Sequence, residues 1–182
     1  MAPRLAILSG YPGSGKSTVS RFFTLELGYF RLSSDETREM LFQRDYMELK
    51  QLPERGYLES EILFPLTDGA KAVLLYRGHD IVIDSSAPNN ITRQYLLNTK
   101  YSGGEINAEK ALIILDVERQ ILMRRPHPDA LEEWENMWEQ PVEGDYEIIR
   151  YWNNSENDLK KIKDDLRIRF PHRTPLALQK RE

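Results

Sequence analysis

Leu5-Ala6-Ile7-Leu8-Ser9-Gly10-Tyr11-Pro12-Gly13-Ser14-Gly15-Lys16-Ser17-Thr18 is the stretch from which the rest of the chain is read. The apolar run Leu5 to Leu8 predicts a buried strand, a glycine-rich turn follows, and a helical pattern then begins. Gly10, Gly15, Lys16 and Ser17 satisfy the spacing G-x-x-x-x-G-K-[ST] without a mismatch. Wrapping a triphosphate in backbone N–H groups requires a chain that turns and approaches closely, which glycine permits. The first turn of the following helix adds unpaired N–H donors and the positive end of its dipole. Gly10, Tyr11, Pro12, Gly13, Ser14, Gly15, Lys16, Ser17 and Thr18 are therefore the predicted nucleotide cradle. Within it Lys16 reaches the β- and γ-phosphates and the Ser17 hydroxyl ligates Mg²⁺. The pattern points to a nucleoside triphosphate and leaves the reaction open.

Composition narrows the setting. The 182 residues are 40% hydrophobic and 30% charged, ordinary for a globular domain with a sizeable core. A formal net charge of −4 argues against strong non-specific binding to nucleic acid. No cysteine is present, which removes disulfides, thiol nucleophiles and cysteine metal sites and suits the cytoplasm. The first strand begins almost at once, leaving no room for a signal peptide, and no apolar run approaches the ~20 residues of a membrane span.

Outward from the loop, Thr18 to Gly28 reads as a helix stopped by Gly28. Tyr29 to Leu32 reads as a short strand, and Ser33-Ser34-Asp35 caps the helix that follows. Asp35 and Arg38, three apart at a helix start, share a face. If this strand lies beside the first in a parallel sheet, both stand at its carboxyl edge, where ligands bind in open α/β sheets. A carboxylate there suits proton removal from a hydroxyl and an arginine suits an acceptor phosphate. The spacing alone fits an N-cap aspartate with a solvated arginine equally well. Residues 44–57 read as a polar loop or mobile insertion, with Tyr46, Arg55 and Tyr57 as possible acceptor contacts or plain surface residues. Tyr57 to Tyr76 has helical spacing on Leu58, Ile62, Leu63, Leu66, Ala70, Val73 and Leu74, with Pro65 predicting a kink or two helices.

Asp80 to Asp84 predicts a third parallel strand with Asp84 at its carboxyl end. Two roles fit Asp84, a magnesium contact or an organiser of the neighbouring loops. Pro88, Asn89 and Asn90 open a helix on which Arg93 reads as a solvated arginine or, second, as a phosphate contact. Ala111 to Val117 is the fourth strand. Glu118 to Arg125 reads as a helix ended by Pro126 and Pro128, and Asp129 to Glu139 as another, apolar on Leu131, Trp134, Met137 and Trp138. Tyr146 to Tyr151 gives a fifth strand. Glu156 to Arg169 gives an amphipathic helix using Leu159, Ile162, Leu166 and Ile168, and the tail from Pro171 reads as frayed.

The loop at 10–18 followed by Ser34-Asp35-x-x-Arg38 resembles the polynucleotide 5′-hydroxyl kinase group of P-loop kinases, within the wider set of zeta-toxin-like and gluconate-kinase-like enzymes. The resemblance implies that Asp35 is the general base and Arg38 the substrate-binding arginine. It implies a helical lid over residues 117–140 from which Arg124 or Arg125 neutralises the transferring phosphoryl group. It also implies the fold: an α/β P-loop NTPase three-layer sandwich, a five-stranded parallel sheet of order 2-3-1-4-5, built as one domain over 1–182. The expected catalytic set is Lys16, Asp35, Arg38, Arg124 and Arg125, with Ser17 and Asp84 toward Mg²⁺. The expected reaction is transfer of the γ-phosphoryl group of ATP to an acceptor hydroxyl. A 5′-hydroxyl nucleic acid end is the first reading of the acceptor. A small molecule of the gluconate, nucleoside, antibiotic or sugar-nucleotide type is the second, favoured by the acidic balance. A P-loop ATPase or nucleotide switch without acceptor is the third.

Overall fold

Alternating side chains on apolar strands set the layers. β1 (Arg4–Ser9) turns Leu5 and Ile7 to one face and Ala6 and Leu8 to the other, and all four are buried. A strand apolar on both faces needs cover on both. In the computed structural model, which describes residues 1–44, 46–49, 51–125 and 128–173, that cover comes from two helical layers. On one side α1 (Lys16–Leu27) and α9 (Glu156–Arg169) bring Val19, Phe22, Phe23, Leu27, Ile162 and Leu166 against Ala6, Leu8, Ile113 and Leu115. On the other, α5 (Phe64–Tyr76) and α6 (Asn90–Leu97) bring Leu75, Leu96 and Leu97 against Leu5, Ile7, Ile83 and Ile114.

The sheet joins β1 to β2 (Phe30–Ser33), β3 (Ile81–Asp84), β6 (Glu109–Asp116) and β7 (Glu147–Trp152) in the spatial order β2-β3-β1-β6-β7, every pairing parallel. Counting only these five strands along the chain, the order is 2-3-1-4-5, as the resemblance implies. β4 (Lys100–Tyr101) and β5 (Gly104–Glu105) form a separate small hairpin. The register sets Leu8 and Ser33 both beside Asp84, so the loops leaving β1, β2 and β3 emerge at one edge.

Several elements differ from the expected ones. Between Gln43 and Leu58 the chain is not a plain loop; it holds α3 (Tyr46–Leu49) and α4 (Arg55–Tyr57), with Leu49 fully buried beneath. The stretch after Tyr57 is a π-helix, Leu58–Leu63, continued by α5 with Pro65 in its first turn. Its inward face runs Leu63, Thr67, Lys71, Leu75, while Leu66 and Val73 of the expected apolar face are exposed. The polar residues turn inward because partners await them: the Thr67 hydroxyl donates to Leu63 O, and Lys71 donates to Leu96 O at the end of α6 and pairs with Asp68.

The helix expected over Glu118 to Arg125 is only α7 (Arg119–Leu122). Beyond it Arg124 N and Arg125 N bond three residues back, to Ile121 O and Leu122 O, which tightens and ends the turn. A 3₁₀ turn, Pro128–Ala130, and α8 (Leu131–Met137) follow. Ile168 is exposed; the apolar packing of α9 uses Leu159, Ile162 and Leu166, with Lys163 and Arg167 lying over the Phe22 ring. The segment from Pro171 to Arg173 is docked, with Pro171 O accepting from Arg4 and Arg173 bonded to Ala2 O and Glu109. The rest of the expected frayed tail lies outside the described residues.

Candidate active site

The loop between β1 and α1 is held open by its glycines. Gly10, Gly13 and Gly15 have φ of 151°, 78° and 97°, in the region that favours glycine. A Cβ on Gly10 would lie 2.6 Å from Leu115 O, and one on Gly15 would strike the Asn153 side chain. Gly15 is also the N-cap of α1 and supplies no side-chain cap. Thr18 N bonds to Gly15 O, and the Lys16 and Ser17 amides ahead of it are the ones a phosphate cradle can use.

Lys16 is buried, and its Nζ donates to Gly10 O and Tyr11 O, at 2.9 Å each. Burial lowers its pKa to about 8, against the pull of Asp84 and Asp35, whose negative charges favour the ammonium form. Ser17 and Thr18 are exposed in the first turn. Ser14 is fully buried, its Oγ without a hydrogen-bond partner among the described residues, and its carbonyl accepts from Asn153 Nδ2 at 2.7 Å.

Across the sheet edge, Ser33 caps α2 (Ser34–Phe42) by accepting from Glu36 N. In the first turn Asp35 and Arg38 pair at 2.6 Å, Arg38 Nη1 donating to Asp35 Oδ1. Their exposures are opposite: the Asp35 side chain is 81% exposed and that of Arg38 only 7%. This is neither a plain N-cap, a duty Ser33 performs, nor a solvated arginine. Arg38 Nη2 also donates to Glu59 Oε1 at 3.3 Å, and Glu59 Oε2 accepts from Arg55 Nε at 3.2 Å. Tyr57 is exposed; the Tyr46 side chain lies outside the described residues.

Asp84 is buried, and its Oδ2 accepts from Arg31 Nη2 at 2.7 Å and from Ser20 Oγ at 2.8 Å. Arg31 is shared: Nε donates to Ser20 Oγ and Nη1 to Glu36 Oε2, each at 2.6 Å. Ser20 lies one turn after Ser17 on α1, so Asp84 is tied to the turn that carries Ser17. Of the two roles open for Asp84, the organising one is directly visible. A magnesium ion also suits this donor set, hard oxygens of an exposed hydroxyl and a buried carboxylate joined through Ser20.

Arg125 Nη1 donates to Gly13 O at 2.8 Å and Nη2 to Asn153 O at 2.9 Å, which places its guanidinium over the loop. Arg124 is exposed. Pro126 and His127 lie outside the described residues. Arg93 is not the solvated arginine expected from its helix position. It is fully buried, donating to Ala87 O, Pro88 O, Glu139 O and Asn90 Oδ1, and its guanidinium lies 4.7 Å from the centre of the Trp138 ring. With those donors engaged it is not placed to meet a phosphate. Trp138 in turn stacks on Tyr11 of the loop, ring centres 5.2 Å apart. Ala87, at φ 41°, holds a conformation costly for a residue with a Cβ, its carbonyl pinned by Ser9 Oγ at 2.9 Å and Arg93 Nε at 3.0 Å.

Sequence reading does not single out Glu59, Arg31, Ser20 or Asn153. Glu59 carries no motif. Ser20 follows Ser17 at one helical turn, the only local signal. Arg31 sits mid-strand, where an arginine ordinarily faces water, and Asn153 belongs to a run that reads as a turn.

A family model described as an AAA domain, AAA_33, matches residues 5–128. No curated protein matches the chain. Among solved structures, a sugar kinase from Janibacter sp. HTCC2649 superposes with a TM-score of 0.65 at 15% identity, covering 93% of this chain and 96% of that one. The APS kinase CysC of Mycobacterium tuberculosis superposes with a TM-score of 0.59 at 17% identity, covering 91% and 97%. A chain of the Pnkp1/Rnl/Hen1 complex has a TM-score of 0.55 at 27% identity over 69% of this chain and 39% of that longer one. The chain belongs to the AAA domain family and has the fold of a P-loop kinase.

Proposed function

We propose that the protein transfers the γ-phosphoryl group of ATP to an acceptor hydroxyl, with a 5′-hydroxyl nucleic acid end as the acceptor. One observation carries the reading: Lys16 and Asp35 stand at the same sheet edge, the lysine buried in the phosphate loop and the carboxylate open to an incoming group. The open loop amides and Lys16 hold the phosphates. Asp35 accepts the proton of the acceptor hydroxyl as its oxygen bonds to the γ-phosphorus. The bond from that phosphorus to the bridging oxygen breaks, and ADP leaves with the electron pair. Arg38 holds Asp35 in place, and Arg125, already against the loop carbonyl of Gly13, is the arginine at hand for the transferring group. Ser17 and Asp84 are the residues that would hold magnesium, which when bound offsets charge on the phosphates. Residues 117–140 are read as the part that closes over the nucleotide.

The acceptor assignment draws support from Asp35 and Arg38 and from the likeness to a chain of the Pnkp1/Rnl/Hen1 complex, described in a second structure as an RNA repair complex. The test is transfer of labelled γ-phosphate to 5′-hydroxyl DNA and RNA oligonucleotides beside gluconate, nucleosides and APS. Label at an oligonucleotide 5′ end is the expected result. Label only on a small molecule moves the protein to a small-molecule kinase. ATP hydrolysis indifferent to every acceptor removes the kinase reading.

A further inference from the structure

The carbonyls of the phosphate loop are held by donors. Lys16 takes those of Gly10 and Tyr11, Arg125 takes that of Gly13, and Asn153, the residue after β7, takes that of Ser14. We infer that Asn153 is a positioning residue of the phosphate loop, setting the Ser14–Gly15 peptide so that its N–H meets the β-phosphate of a bound nucleotide; this rests on the nucleotide-binding reading of the loop.

Asn153 is itself fixed from two sides. Its N donates to Asp116 O, at the end of β6, at 2.8 Å, and its carbonyl accepts from Arg125 Nη2 at 2.9 Å. The residue is 4% exposed, and a carboxamide is buried that deeply only where its polar atoms find partners. Nδ2 donates to Ser14 O at 2.7 Å. That bond fixes more than one oxygen. A peptide unit is planar and trans, so its C=O and N–H point in opposite directions. With Ser14 O drawn to Asn153, the Gly15 N–H of the same unit points away from Asn153. It thereby joins the Lys16 and Ser17 amides that follow it as a donor to phosphate.

The neighbours keep the unit in this setting. Ser14 is fully buried, with its Oγ so close under Gly10 that a Cβ there would lie 2.7 Å from it. Gly15, at φ 97°, lies against the carboxamide, and a Cβ on it would come within 2.4 Å of Asn153 Nδ2. Glycine is needed at this position both for its backbone and for the approach of Asn153. Charge also separates Asn153 from the other donors that hold the loop. Lys16 and Arg125 are cations, and phosphate competes strongly with a carbonyl for each of them. The carboxamide is neutral, so its hold on Ser14 O outlasts the arrival of a nucleotide.

The test titrates AMP, ADP and ATP, each with magnesium, into wild type, Asn153→Leu and Asn153→Ser, well below each Tm. Leucine keeps the volume and removes the donor; serine leaves room and is too short to reach Ser14 O. Both variants are expected to bind ADP and ATP at least about tenfold more weakly, the effect of misdirecting one charge-assisted hydrogen bond. AMP, which has no β-phosphate, should stay within about threefold of wild type. Asn154→Ala, which removes the side-chain contacts of the next residue with Glu118, should keep all three affinities. A lowered Tm with all three affinities unchanged in the Asn153 variants, or an equal loss for AMP, ADP and ATP, overturns the assignment. The same selective loss in Asn154→Ala also overturns it. A wild type that binds ADP no more tightly than AMP overturns the nucleotide-binding reading of the loop, and this assignment with it.

Discussion

Asp35 and Arg38 divide one ion pair unequally between solvent and interior, the carboxylate outward and the guanidinium inward, 2.6 Å apart. With its carboxylate in water, such a pair adds little to stability. Its value lies in orientation: a buried arginine fixed by Glu59 gives an exposed carboxylate one preferred direction. Replacing Asp35 with Asn keeps the shape and removes the proton acceptor. Turnover should fall by about 10²–10⁴, the usual contribution of a general base, with ATP affinity within about twofold of wild type. Single-turnover rates and nucleotide binding on the same preparation separate the two; intact turnover would remove the base assignment.

Lys16 gives a pH dependence of determined sign. In the nucleotide-free protein its pKa is lowered to about 8 by burial, so the ammonium that attracts phosphate is lost as pH rises through that value. ATP affinity should therefore weaken between pH 7 and 9 in wild type and be flat in Lys16→Met. Stability runs the other way. The unfolded lysine keeps its proton up to its ordinary pKa near 10.5, whereas the folded one releases it above about 8. Across that window the unfolded state binds more protons, so this group's contribution to stability rises with pH, by at most about 1.4 kcal/mol per unit. Denaturant titrations of wild type and Lys16→Met at pH 7.5, 8.5 and 9.5 read the difference directly; a wild-type advantage that shrinks with pH contradicts the lowered pKa.

The pair Arg31 and Asp84 predicts a mutation that harms the scaffold before the chemistry. Asp84→Ala leaves the partly buried Arg31 guanidinium with Glu36 and Ser20 among the described residues. Losing one member of a buried pair costs about 3 kcal/mol. Asp84→Asn keeps an acceptor for Ser20 and should cost less than half of that. Paired with Arg31→Met in a double-mutant cycle, Asp84→Ala should show coupling of about 2 kcal/mol in urea unfolding. Additive effects would show that the two side chains act independently.

What could be read in advance follows the range of the signal. The phosphate loop is legible because its chemistry is local: glycines at fixed offsets and a lysine one step into a helix. The inner strands β1, β3 and β6 are legible because burial on both faces writes continuous apolar runs such as Ile81-Val82-Ile83 and Leu112-Ile113-Ile114. Asp35 and Arg38 are legible as a pair, but their opposite exposures are not, since Glu59 and Arg55 arrive from about twenty residues away. Arg93 fails because the bend of the chain at Ala87 and Pro88 and the distant Glu139 together enclose it. Nothing local says that the carbonyls of Ala87, Pro88 and Glu139 will surround it. Leu66 and Val73 mislead because helical spacing does not reveal that Glu59, Thr67 and Lys71 have partners inside. The shortness of α7 is set by its tightened last turn, which apolar periodicity does not report.

Arg93 offers the sharpest test of how the segment after α8 communicates with the phosphate loop. Its guanidinium satisfies three backbone carbonyls, supports the positive-φ conformation of Ala87 and covers Trp138, whose ring also stacks on Tyr11 of the loop. Arg93→Met preserves most of the length and leaves those carbonyls buried without donors, at about 1–3 kcal/mol for each that water does not reach. Arg93→Lys keeps the charge but supplies one nitrogen where the fork reached in several directions. Both variants should lower Tm by several degrees, Met more than Lys. Both should also weaken ATP binding, because Tyr11 loses the support of the ring stacked on it. Trp138→Phe should retain stacking and stay near wild type, whereas Trp138→Ala should weaken ATP binding without orphaning a single carbonyl. Calorimetric ATP titrations across the four variants separate loss of backbone support from loss of the stack. Wild-type ATP affinity in Trp138→Ala would show that the loop does not depend on this contact.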